Sequence, residues 1–95
     1  MDATDYDELA GRLQGLLIRL DDRLGPRDQS RVLTYIEANE LALALNHLAV
    51  TLAQANHRLA LDERADLLAL ATTMGTTHRV SPLLDACPSS HTPYP

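Results

Sequence analysis

The chain has no lysine, no phenylalanine and no tryptophan, and a single cysteine among its 95 residues. One cysteine excludes an internal disulfide and any cysteine-based metal cluster. The missing large aromatics leave leucine and alanine to build the core, a composition that favours helices over strands. All eight basic residues are arginine, and thirteen acids outnumber them to give a net charge of −5. An acidic chain is poorly suited to direct nucleic-acid binding, which needs a basic face for phosphates. It is better suited to meeting a basic protein partner. No apolar run approaches 18 residues without a polar interruption, so no membrane span is expected. The opening stretch MDATDYDELAG has neither a basic n-region nor an apolar h-region, so no secretory signal is expected and the cytoplasm is the default compartment.

What the chain does have is helical periodicity. Tyr6, Leu9, Leu13, Leu16, Leu17, Leu20 and Leu24 recur in steps of three and four, one face of a first helix. Thr4 is its expected cap and Gly25-Pro26 its expected stop. Gly11 and Gly15 inside it read as tolerated exposed glycines. Asp28 is expected to cap a short second helix, with Val32, Leu33 and Ile36 inward. Asn39 then breaks the chain.

The third helix is expected from near Glu40 to about Ala55. Its LALAL start imitates a strand, but strict alternation fails at Asn46 and His47. A helix places Leu41, Ala44, Leu45, Leu48 and Leu52 on one stripe. Leu43 and Val50 fall on nearly the opposite side with His47 between them, so this helix is either central or touches a partner. A fourth helix is expected from an Asp62 cap to Gly75, with Ala65, Leu67, Leu68, Ala71 and Met74 apolar, Leu70 on the edge of that face, and Leu59 or Leu61 stapling its entry. From Thr76 onward four of the five prolines gather without helical period, so residues 76–95 are expected to form a flexible tail, with Leu83 and Leu84 able to dock. The expectation is an all-α, antiparallel bundle of about four helices in residues 1–75, followed by that irregular tail.

Catalytic and metal constellations are sparse. His47 and His57 are ten residues apart and about 80° out of phase, so they do not form an i, i+4 ligand pair. His78, His91 and Cys87 fall in the expected tail, where they read as solvent-exposed. A third helix without Arg or Lys lacks the donors of a DNA-recognition helix. Neither a metal nor a cofactor is expected, and the chain does not read as an enzyme. Glu37 and Glu40 stand before the apolar run with no cation between Arg31 and Arg58. They read either as helix-end electrostatics or as an acidic edge that steers a basic partner.

The segment Ile36, Glu37, Asn39, Glu40, Ala44, Leu45 and Leu48 follows the pattern I-E-x-G/N-E-x-x-x-A-L-x-x-L. With the amphipathic first helix before it and the acid-initiated fourth helix after it, the chain resembles the MafI-type immunity proteins of bacterial polymorphic toxin systems over about residues 5–75. Asn39 stands where that family more often has glycine, and Leu41 follows Glu40 where it has tyrosine. The resemblance implies a cytoplasmic protein that neutralises a cognate toxin domain, often a nuclease, by tight non-catalytic binding. The candidate contacts are Glu37, Glu40, Leu43, His47 and Val50, with Asp21 and Asp22 as a second acidic patch. The alternative is a self-associating helical adaptor, a homodimer joined through Leu43 and Val50.

Overall fold

The computed structural model describes residues 3–88. They form five α-helices: α1 (Ala3–Arg19), α2 (Pro26–Glu37), α3 (Leu41–Gln54), α4 (Leu61–Met74) and α5 (Thr77–Asp85). A short 3-10 turn, Asp21–Arg23, joins α1 to α2.

The helix count is therefore five, not about four, and the bundle does not stop at residue 75. Where a tail was expected, α5 packs against α3 and α4 and buries Val80, Leu84 and Cys87. Proline density hid it. Pro82 lies within α5 and removes one backbone donor, but burial of this apolar face holds the helix regardless. Arg64 of α4 adds to this by donating to the carbonyls of Leu84 and, at 2.7 Å, Cys87. The Leu59 amide then donates to the Pro88 carbonyl at 2.9 Å, tying the end of this segment to the α3–α4 connection. Residues 89–95 of the expected tail, His91 among them, lie outside the described residues.

α3 is the central helix, touching each of the other four. That accounts for its breadth of apolar surface. Leu41, Ala44, Leu45, Leu48 and Leu52 are buried as the spacing predicts, and Ala49 widens the stripe. The predicted leucines from Leu9 to Leu24 are buried, although α1 ends at Arg19 and Leu20 and Leu24 flank the 3-10 turn that follows it. On α4, Leu67, Leu70 and Ala71 are buried while Ala65 is exposed, so the inward face is turned slightly from the expected one.

The helix ends obey local chemistry. α2, α3 and α4 are followed by left-handed residues, Asn39 (φ 59°), Asn56 (φ 52°) and Gly75 (φ 72°). After each, an amide reaches back five residues: Glu40 to Tyr35 at 2.8 Å, His57 to Leu52 at 3.0 Å and Thr76 to Ala71 at 2.8 Å. This is the Schellman arrangement that satisfies the last carbonyls of a helix. Three helices begin elsewhere than at their expected caps Thr4, Asp28 and Asp62. α2 begins at Pro26 after Gly25, because proline at the first helical position loses no needed donor, and Asp28 sits in the first turn. α4 begins after Ala60, whose amide donates to the Glu63 carboxylate at 2.9 Å, so Glu63 rather than Asp62 serves that end. Thr4 lies inside α1 rather than before it. Leu59, and not the exposed Leu61, is the residue buried at the entry.

Candidate interaction surfaces

The α2–α3 corner carries the first group of candidate residues. Glu37 ends α2, Asn39 turns the chain, and Glu40 precedes α3 without any side-chain capping bond. Both glutamates are exposed, and no cation pairs with either among the described residues. Leu43, one turn into α3, is 48% exposed. His47 is not free beside it. Its Nε2 lies 3.2 Å from Asp28 Oδ1, and its ring sits 6.2 Å from that of Tyr35, tilted by 59°. The side chain expected to face a partner thus braces α3 against α2. Val50 is half-buried.

Asp21 and Asp22 belong to a different region. Asp21 Oδ1 accepts from Gln29 Nε2 at 2.7 Å, and Asp22 pairs with Arg23 Nε at 3.2 Å. Gln29 and Glu37 are eight residues apart on α2, about 12 Å along its axis, so the two acidic groups do not form one patch.

Next to Asp22 lies a group that periodicity gave no sign of. Arg23 Nη1 and Nη2 donate to Glu63 Oε1 and Oε2 at 2.6 and 2.7 Å, a two-pronged bridge between the 3-10 turn after α1 and the start of α4. Arg23 also donates to the carbonyls of Arg58 (2.9 Å) and Arg19 (3.2 Å). The Glu63 side chain is only 7% exposed and that of Arg23 19%. The hydrogen bond from Arg23 holds the Glu63 carboxyl below its ordinary range against the opposing effect of burial. Outside it, Arg19 bridges Asp62 at 2.5 Å and Asp66 at 3.2 Å in solvent, where ion pairs contribute little. This cluster is a structural clamp. Spacing along one helix could not show it, since the partner on Arg23 is forty residues away.

Grooves cross the surface among the described residues, and three of them border the candidate residues or the clamp. One of about 210 Å³ lies where α1, the α2–α3 corner and α4 meet, lined by Tyr6, Asn39, Glu40, Leu41, Ala42 and Met74. A second, about 270 Å³ between α1 and α2, is flanked by Leu33 and Ile18, the latter 75% exposed. A third, about 260 Å³ between α1 and α4, includes Arg12, Gly15 and Arg19.

No protein family, curated protein or solved structure matches this chain.

Among the described residues no three His, Cys, Asp or Glu side chains are grouped to hold a metal ion. No helix among them is long and apolar enough to cross a membrane. His57 is half-buried and His78 exposed. Cys87, expected in solvent, is instead buried, with its thiol donating to the Leu83 carbonyl at 3.6 Å. Burial pushes the thiol above its ordinary range, opposed in part by nearby Arg64.

Proposed function

We propose that this chain is an immunity-type protein that neutralises a cognate bacterial toxin domain by tight, non-catalytic binding in the cytoplasm. One observation carries the reading: the α2–α3 corner presents two uncompensated carboxylates, Glu37 and Glu40, beside the exposed Leu43 on a backbone fixed by hydrogen bonds. A toxin that cleaves nucleic acid has a basic active site, and a rigid acidic surface with an apolar anchor is complementary to it. Pre-organisation reduces the ordering cost of binding. The toxin domain is expected to be encoded beside this chain. Co-expression of that domain with this chain in a bacterial host should restore growth, and the Glu37→Lys/Glu40→Lys/Leu43→Asp variant should not. Failure of the unaltered chain to rescue growth would sink the reading.

A second reading is supported by the groove between α1 and α2, where Ile18 and Leu33 are exposed together. In that reading the chain is a self-associating adaptor that covers these side chains with a second copy. Sedimentation velocity tests it directly. A monomer whose profile is unchanged by Ile18→Glu or Leu33→Glu counts against it.

A further inference from the structure

We propose that the groove lined by Tyr6, Asn39, Glu40, Leu41, Ala42 and Met74 is a receptor for one arginine side chain of a protein partner. The proposal deepens the binding function above and rests on it for the partner, but not for the chemistry. Three elements build the groove: Tyr6 comes from the first turns of α1, Glu40 to Ala42 from the corner and start of α3, and Met74 from the last turn of α4.

Charge decides what the groove takes. Helix dipoles do not set the sign here, because the C-terminal ends of α2 and α4 are offset by the N-terminal ends of α1 and α3. The carboxylates do. Glu40 lines the groove, and Glu37 stands three residues away on the same corner. Neither has a cation partner among the described residues. His78 and Arg79 follow on α5 but line none of its walls. An anion would be repelled. An apolar group would strip water from Glu40 without replacing its hydrogen bonds.

A basic side chain meets both requirements. Its aliphatic stem can lie on Leu41, Ala42 and the Met74 thioether while its head pairs with Glu40. The exposed Tyr6 ring then selects between the two basic residues. A planar guanidinium stacks on an aromatic face and takes a carboxylate with two parallel hydrogen bonds, whereas a lysine ammonium does neither as well.

The test uses the full chain, labelled with 15N and 13C, and N-acetyl-arginine methylamide as the probe, followed by NMR titration. The citrulline counterpart, equal in shape but neutral, is the control. A probe of this size is expected to saturate with a Kd of about 5 mM. Shifts should concentrate on the amides of Asn39 to Ala42, the Tyr6 ring and the Met74 methyl. Glu40→Gln should weaken the probe about five-fold and Tyr6→Leu about three-fold, with the fold unchanged by CD. Citrulline binding as tightly as arginine, shifts spread evenly over the acidic surface, or no saturation up to about 50 mM would overturn the proposal. No toxin enters this experiment. Arginine binding without growth rescue would leave the groove standing and remove the immunity reading; rescue without arginine binding would do the reverse.

Discussion

Arg23→Met leaves the Glu63 carboxylate in place and removes the guanidinium that bonds to it directly, with Arg19 Nη2 remaining 3.9 Å from its Oε2. The two bonds to the Glu63 carboxylate, at 2.6 and 2.7 Å in the intact protein, are lost along with the more exposed bonds to Asp22 and to the Arg58 and Arg19 carbonyls. The two carboxylate bonds contribute about 1.5–3 kcal/mol each. Methionine keeps the packing of the aliphatic stem, and the 19% exposure of Arg23 lets water reach the vacated side, so the lower end applies: about 3 kcal/mol in all. A 95-residue domain has a total stability of about 5–14 kcal/mol, so this is a substantial fraction. The melting temperature should fall by about 12–24 °C. The assay is urea unfolding followed by far-UV circular dichroism, since the chain has no tryptophan and guanidinium salts would screen the pair. Glu63→Gln and the double variant complete a cycle, with an expected coupling of about 2 kcal/mol. pH supplies an independent readout. The Glu63 pKa is depressed in the folded state, chiefly by the hydrogen bond from Arg23, so its contribution is fully present above the unfolded-state value of about 4.3 and is lost as pH falls through the folded value. Glu63→Gln should abolish that part of the acid sensitivity. A coupling below about 0.5 kcal/mol, or an unchanged acid transition in Glu63→Gln, would refute the idea that this pair clamps α1 to α4.

Gly11 and Gly15 have open space where a Cβ would stand, so Gly11→Ala and Gly15→Ala should each stabilise α1 by about 0.5–1 kcal/mol, read as a rise in urea midpoint. Asn39→Gly should be neutral or slightly stabilising, whereas Asn39→Ala, forced to φ 59°, should cost about 1–2 kcal/mol in the same titration. Truncation after Gly75 removes the buried Val80, Leu84 and Cys87, worth about 5 kcal/mol of apolar burial, and should abolish the cooperative thermal transition. Cys87 should alkylate with iodoacetamide at least about ten-fold more slowly in the folded protein than in urea, because burial both covers the thiol and disfavours its thiolate.

The faces of α1 and α3 were legible because leucines at helical spacing state the inward side directly, from Leu9 to Leu24 and from Leu41 to Leu52. Asn39 and Gly75 were legible as stops because few residues adopt a left-handed backbone at low cost. α5 was not. Pro82 and the surrounding threonines mimic a loop, and the forces that hold the helix are tertiary: burial against α3 and α4, and the two bonds from Arg64. Leu70 displaced Ala65 from the inward face of α4 because only the docked helices fix its rotation. Among the candidate contacts, Glu37, Glu40 and Leu43 are exposed. The turn of His47 toward Asp28 and Tyr35 could not be read from α3 alone, since both partners lie on another helix.

The bond from the Leu59 amide to the Pro88 carbonyl bears on the order in which a nascent chain folds. The α2–α3 hairpin can form as soon as Gln54 has left the ribosome, since its contacts are local in sequence. Leu59 and the α3 and α4 surfaces that α5 covers must wait for residues 80–88. A nascent chain therefore displays its acidic corner before its core is closed. Ribosome-stalled chains ending before Val80 should be protease-sensitive in α4, while those that expose Pro88 should resist.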